Sequence, residues 1–183
     1  MRIVAGRFRG RALTPVGKGD AAAHLRPTTD RVRESLFSIL TSRGAIDGAR
    51  VLDLFAGTGA LGFEALSRGA ESLCLVENGR KAQALIRDNI RLLDVRDEAR
   101  LVARDATKLR PCDGPGFDLI FLDPPYGKSL GLPALDAARR AGWIAPGALI
   151  VFEENAPQEA PEGFALMDQR RFGDTHVTFL EPS

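Results

Sequence analysis

The stretch Phe117-Asp118-Leu119-Ile120-Phe121-Leu122-Asp123-Pro124-Pro125-Tyr126 constrains the fold more than any other. Its first six residues are a short apolar run rich in strand formers, the pattern of a central parallel strand covered on both faces. Proline has no N–H for a sheet ladder and fixes φ, so Pro124 and Pro125 end the strand and stiffen the loop after it. Ligands of open α/β sheets bind beyond the carboxyl ends of the strands, which places Asp123, Pro124 and Tyr126 where chemistry is expected. A carboxylate, a proline carbonyl and a flat ring suit a planar group bearing an NH2. Asp123 can accept one N–H, the Pro124 carbonyl the other, and Tyr126 can stack on the ring. The lone pair of such an amine is delocalised into its ring. Acceptors placed for the pyramidal transition state of methylation therefore stabilise it more than the flat ground state.

A second strand end carries the complementary half. Arg50-Val51-Leu52-Asp53-Leu54-Phe55 reads as a strand, and Ala56-Gly57-Thr58-Gly59-Ala60-Leu61-Gly62 turns it into a helix expected over 60–67. The glycine spacing lets backbone approach a ligand closely. Leu73-Cys74-Leu75-Val76-Glu77 is the next strand, and Glu77, about twenty residues beyond the loop, can take two ribose hydroxyls. That pair specifies an adenosine-containing ligand and also matches a dinucleotide-dependent oxidoreductase. Asp53 favours the other choice: an acid before the glycines opposes a pyrophosphate and suits a ligand with an amino group and a sulfonium. It can equally serve as a hydrogen-bond acceptor for the loop. Asp105, after a strand over 100–103, can accept from an adenine amine.

Net charge is +1, with 44% hydrophobic and 27% charged residues, the composition of one soluble domain able to bury a full core. The charge is uneven. Through Arg33 there are eight basic residues against two acidic ones, so the remainder is net acidic. Arg7, Arg9, Arg11, Arg26, Arg31 and Arg33 are the candidate contacts for a polyanion. Residues 2–5 and 9–13 read as a hairpin whose Phe8 can stack on a base or anchor the turn. After the loop over 14–24, Arg26-Pro27-Thr28-Thr29-Asp30 leads into a helix that runs to about Ser42 and that Thr28, Thr29 or Asp30 can cap. Helices over 80–93 and 132–142, a strand over 148–152 and a closing hairpin over 164–172 and 176–180 complete the pattern, with Trp143 assigned to packing. Cys74 and Cys112 lack metal or redox spacing, and His24 and His176 form no ligand set, so no metal is expected. No membrane span or signal-peptide core is read, and a cytoplasmic monomer is expected.

These strand-end residues resemble S-adenosylmethionine-dependent amino-methyltransferases. Two further strings narrow the match: Met1-Arg2-Ile3-Val4-Ala5-Gly6-Arg7-Phe8-Arg9-Gly10-Arg11 and Arg26-Pro27-Thr28-Thr29-Asp30-Arg31-Val32-Arg33-Glu34-Ser35-Leu36-Phe37. Together they are similar to the bacterial 16S ribosomal RNA guanine-N2 methyltransferase family over essentially the whole chain. The resemblance implies an α/β, Rossmann-like class I methyltransferase fold: a mostly parallel doubly wound sheet with a C-terminal antiparallel hairpin and a small N-terminal β-hairpin arm. It divides the chain into a basic arm and loop, 1–25, and a catalytic domain, 26–183. S-adenosylmethionine is the implied donor, and a guanine of 16S ribosomal RNA, free or in an assembling small subunit, the acceptor. Asp53, Phe55, Gly57, Thr58 and Gly59 would line the methionine side, Glu77 the ribose, and Asp105 with Ala106 the adenine. The stretch 26–33 would cover the cofactor and face RNA. Many relatives carry a bulky residue after the ribose acid, where this chain has Asn78-Gly79. An adenine-N6 nucleic-acid methyltransferase shares Asp123 to Tyr126, but it usually adds a recognition domain for which this chain has little length.

Overall fold

The computed structural model describes residues 1–17 and 28–183. Arg26, the boundary between residues 25 and 26, and most of the loop expected over 14–24 lie outside them. The elements are α1 (Asp30–Ser42), β1 (Arg50–Leu54), α2 (Ala60–Ser67), β2 (Ser72–Glu77), α3 (Arg80–Leu93), β3 (Ala99–Ala103), β4 (Phe117–Leu122), α4 (Gly131–Arg140), β5 (Ile144–Glu154), β6 (Phe164–Phe172) and β7 (Thr175–Pro182). Ala106–Lys108 forms a 3-10 turn.

One seven-stranded sheet runs in the order β3-β2-β1-β4-β5-β7-β6. The first five strands in that order are parallel, and β7 is antiparallel to both β5 and β6. This is the expected Rossmann-like class I fold with its antiparallel closing hairpin. The order places β1 and β4 side by side at the centre, where the chain changes direction across the sheet, the position at which open α/β sheets bind ligands. Alternate residues face opposite layers. Val51, Leu119, Phe121 and Val151 pack toward α1, α2 and α3. Leu52, Ile120, Leu122 and Phe152 pack toward α4 and the 3-10 turn.

Most boundaries fall where patterning and capping put them. Thr29, rather than Thr28 or Asp30, caps α1, its hydroxyl accepting from Val32 N at 3.3 Å. β5 begins four residues earlier than expected. Pro146-Gly147 reads as a turn, yet the register runs from Phe117 opposite Ile144 to Leu119 opposite Leu149, so a bulge takes up these residues. Trp143 stacks on Phe117 with ring centroids 5.7 Å apart and donates to the Arg110 carbonyl at 2.7 Å.

The N-terminal hairpin is bound into the body. Arg2 bridges Ala12, and Ile3 N donates to Arg11 O at 2.9 Å. Ile3 and Leu13 are buried in the same core as α1 and α2. Glu64 of α2, fully buried, accepts from Val4 N at 2.9 Å and Ala5 N at 3.0 Å. Ser67 receives Phe8 N at 3.0 Å and donates to Ala5 O at 2.6 Å. Among the described residues no helix is long and apolar enough to cross a membrane.

Candidate active site

β1, β2 and β4 deliver their last residues to one rim of the sheet, and each ends in or near an acid. Asp53 lies inside β1, two residues after Val51 on the face of α1 to α3, and is buried. Its Oδ2 accepts Gly62 N at 3.0 Å, so it does brace the glycine loop. Burial pushes its carboxyl well above the usual range. The Gly62 N–H opposes that, while Asp123 and Glu77 add to it. Phe55 then turns the chain at φ +59, a left-handed conformation that costs a non-glycine residue on the order of 1 kcal/mol or more. Gly59 follows at φ +80, and a Cβ there would lie 2.6 Å from Phe63 and 2.7 Å from Leu75. The close approach that this glycine serves is therefore of loop to core, where the glycine spacing reads as approach to a ligand. Gly59 starts α2 with no side-chain cap.

Glu77, at the end of β2, spans the loop. Its Oε2 accepts Gly57 N and its Oε1 accepts Gly79 N, both at 2.8 Å. A side chain at residue 79 would sit 3.2 Å from Oε1, so the glycine after Asn78 leaves this carboxylate its room. Thr58 is tied down from behind: buried Asn89 of α3 donates to Thr58 O at 3.1 Å and accepts Thr14 N at 2.7 Å, linking loop to arm. Asp105 caps the 3-10 turn, its Oδ1 accepting from Thr107 N at 2.8 Å and Thr107 Oγ1 at 2.7 Å. Those bonds lower its carboxyl from the usual value. Ala106 beside it is buried in the layer under β2.

Asp123 follows β4 on the same rim. Burial, reinforced by Glu154, pushes its carboxyl up to about 7. Pro124 is buried, and Tyr126 is half-buried with its hydroxyl bonded to the Thr175 side chain at the start of β7. Burial raises the phenol as well, with Asp123, Glu153 and Glu154 adding to the effect. A cleft of about 250 Å³ adjoins the corner, lined by Gly127, Ser129, Phe152 and Glu154. A larger one, about 420 Å³, opens at the opposite end of the sheet beside Arg43, Asp47 and Asp118. Size does not decide between them; the rim beside the smaller one carries the glycine loop and the raised acids.

One acid on this rim was not singled out from the sequence. Glu153 is 3% exposed, and its Oε1 has no hydrogen-bond partner. The signal that marks Asp123, an acid closing a buried apolar strand, is also present in Leu149-Ile150-Val151-Phe152-Glu153.

The basic residues separate into groups. Arg9, Arg11 and Arg31 are exposed. Arg7 is exposed too and pairs with Glu98 at 2.5 Å. The faces of Phe8 are taken by Arg7 and Arg11, 4.5 and 5.7 Å from its centroid, and its ring packs on the core, so it anchors the hairpin. Arg33 corrects the sequence reading. It is 0% exposed and donates to Arg2 O at 2.6 Å and Asp30 Oδ1 at 2.7 Å, so it holds the arm and is not available to an external polyanion. Among the described residues no group of three or more His, Cys, Asp or Glu is arranged to hold a metal ion.

Known proteins share this sequence and fold. Residues 1–181 match the family described as Conserved hypothetical protein 95. The ribosomal RNA small subunit methyltransferase D of Haemophilus influenzae is 36% identical over 178 residues, covering 94% of this chain and 89% of that protein. The protein of the same name from Escherichia coli strain K12 is 38% identical over 176 residues, covering 94% and 85%. The solved structure of the Escherichia coli protein yhhF superposes with a TM-score of 0.84 at 35% identity, covering 100% of this chain and 97% of that one. The resemblance carried by the two arginine-rich strings is thus borne out, and the chain belongs to the Conserved hypothetical protein 95 family of ribosomal RNA small subunit methyltransferases.

Proposed function

We propose that this chain transfers a methyl group from S-adenosylmethionine to the exocyclic N2 amine of a guanine in 16S ribosomal RNA, free or in an assembling small subunit. The observation that carries the reading is the Asp123-Pro124-Pro125-Tyr126 corner at the end of β4, next to the glycine loop after β1. The acids suit the donor. As carboxylates Glu77 and Asp123 each repel Asp53, so a ligand bearing a sulfonium and an ammonium relieves the repulsion and a pyrophosphate would worsen it. Asp53, Phe55, Gly57, Thr58 and Gly59 hold the methionine side. Glu77 retains lone pairs for the ribose hydroxyls beside its two loop bonds, and Asp105 with Ala106 meets the adenine.

Bound there, the cofactor supplies a methyl carbon made electrophilic by positive sulfur. Asp123 and the Pro124 carbonyl accept the two amine hydrogens and aim the nitrogen lone pair, so alignment provides much of the acceleration. Tyr126, pinned by Thr175, receives the base once it is splayed from its stack. Arg7, Arg9 and Arg11 of the arm, 1–25, and Arg31 at the start of the catalytic domain, 26–183, take phosphates. The protein acts as a cytoplasmic monomer.

Asp123→Ala is expected to lower methyl incorporation by about 10²–10³-fold or more. Calorimetry should show the affinity for S-adenosylhomocysteine within a few-fold of wild type, and unchanged turnover would remove Asp123 from its role. Digestion of the labelled 16S RNA should yield N2-methylguanosine. N6-methyladenosine instead would favour the adenine enzyme.

A further inference from the structure

Strand register puts a second carboxyl group against Asp123. On the parallel pair β4 and β5, Leu122 lies opposite Phe152, so the next residues are Asp123 and Glu153. Both follow, at two residues' distance, side chains that pack toward α1 to α3, namely Phe121 and Val151. Asp53 follows Val51 in the same way. Three carboxyl groups from three strands therefore share one face at one rim, and Glu153 interacts with both of the others. Glu153 is also poorly served, 3% exposed with Oε1 unpartnered.

A buried carboxylate oxygen with no donor is expensive, whereas a carboxylic acid needs only an acceptor for its proton. Two carboxyl groups side by side in a dry site cannot both ionise and so share a proton. We propose that Glu153 is a positioning residue for methyl transfer, a buried acid that holds the shared proton and leaves Asp123 as the ionised partner that receives the guanine amine. The inference rests on the functional reading of Asp123 above. In the transfer the C–S bond breaks and its electron pair stays on sulfur. The N2 lone pair forms the new C–N bond, and the cationic amine loses one proton to Asp123. That proton leaves to solvent as products dissociate, and Glu153 keeps its own throughout.

The groups around the pair are accounted for. β1 contributes Asp53, β2 contributes Glu77 by way of Asp53, and the corner contributes Tyr126. Glu154 follows on β5 and lies opposite His176 of β7. From the layer beneath, α1 presents Phe37 against Phe121, and its Arg33 is directed to Arg2, Asp30 and Glu64. Burial pushes the Glu153 carboxyl well above its ordinary range, with Asp123 and Asp53 adding to it.

The test compares Glu153→Ala and Glu153→Gln in the full chain, with Asp123→Asn as reference. Single-turnover methylation of 16S RNA is followed from pH 5.5 to 9, S-adenosylhomocysteine affinity is measured by calorimetry, and carboxyl titration is followed by ¹³C NMR of the cofactor-free protein. Glu153→Ala should lower the rate at least tenfold with S-adenosylhomocysteine affinity within about twofold. Its acid limb should move to higher pH, because Asp123 loses the donor that favours its ionised form. Glu153→Gln, neutral at every pH and still a donor, should recover most of the lost rate, and the wild-type Glu153 carboxyl should remain neutral at pH 7. Should Glu153→Ala not fold, the Gln variant and the NMR titration decide. The proposal is overturned if Glu153→Ala keeps the wild-type rate and pH profile while Asp123→Asn is inactive, if Glu153→Gln is as impaired as Glu153→Ala, or if Glu153 titrates below pH 5. Full activity of Asp123→Asn would instead remove the reading of the corner itself.

Discussion

β4 has an aspartate at each end, and the fold treats them oppositely. Asp118, near its start, accepts Arg50 N and Nε on Oδ2 and Arg50 Nη2 on Oδ1, all at 2.9 Å. Its carboxyl is lowered, chiefly by the guanidinium hydrogen bonds. Asp123, just past the other end, is given burial and further acids, and rises to about 7. Glu64 extends the first class. It is fully buried, yet its oxygens take two arm N–H groups and Arg68 Nε at 2.9 Å. Glu153 extends the second, with one oxygen served by nothing. Asp118 and Glu64, which build the molecule, are saturated with donors, whereas Asp123 and Glu153 at the candidate site are kept short of them. A starved carboxylate costs stability and gains proton affinity, the condition of a group poised to accept a hydrogen from substrate.

The largest expected effect tests the saturated class. Glu64→Ala leaves the Arg33 guanidinium, already 0% exposed and with Nε and Nη1 lacking hydrogen-bond partners, without its fully buried carboxylate 3.9 Å away, and its remaining partner Asp30, at 2.7 Å, is partly exposed. Breaking a buried pair on one side costs about 3–5 kcal/mol. Chemical denaturation should show that loss together with faster proteolysis of the arm. A change below about 1 kcal/mol would mean that saturation of Glu64 is incidental.

Next comes the starved class, where the sign reverses. Asp123 holds its proton more tightly folded than unfolded, so its contribution is fully present below about pH 4 and is lost as pH rises through about 7. Asp123→Asn removes that loss. The variant should be more stable than wild type at pH 8 by on the order of 2–4 kcal/mol, with the gap closing toward pH 4, while methylation fails. Melting curves across pH check this, and a gap that does not change with pH would break the contrast.

How much of this was legible follows from how far apart the deciding residues lie. β4, its proline corner, the glycine loop and Glu77 could be read because each is a local pattern: an apolar run, a break, a spacing. Even there the bonds of Glu77 to the loop were hidden, since Gly57 lies twenty residues before it. Arg33 was misread because an arginine among arginines looks like a solvated face. Its burial depends on Glu64 and on the backbone of Arg2, both about thirty residues away. Glu153 passed unnoticed because its meaning comes from register with Asp123, thirty residues earlier, and register is known only once β5 is placed beside β4.

A smaller prediction takes the other end of β4. Asp118 is lowered, so its contribution is present above the unfolded value of 3.8 and lost as pH falls through the folded one. Asp118→Asn should cost about 1 kcal/mol at pH 7, because the pair is bidentate but partly exposed, and the difference from wild type should vanish in acid. The two aspartate variants should thus shift melting temperature in opposite directions at neutral pH. Shifts of the same sign would show that strand position does not set their environments.

The smallest effect on stability belongs to the exposed bases, and it separates the arm's two jobs. Arg9 is exposed and enters no ion pair among the described residues, whereas Arg33, counted with it by charge, is sealed in the core. Arg9→Ala should change folding stability by less than about 0.5 kcal/mol, as surface substitutions away from packed features do. If it neutralises one RNA phosphate, the slope of log affinity for 16S RNA against log salt should fall by roughly one, and uniformly across sequences. Arg33→Ala should show the reverse, a large loss of stability and, in the fraction that remains folded, no change in slope. Should Arg9→Ala leave both slope and affinity unaltered, the basic character of the arm would belong to its attachment rather than to RNA.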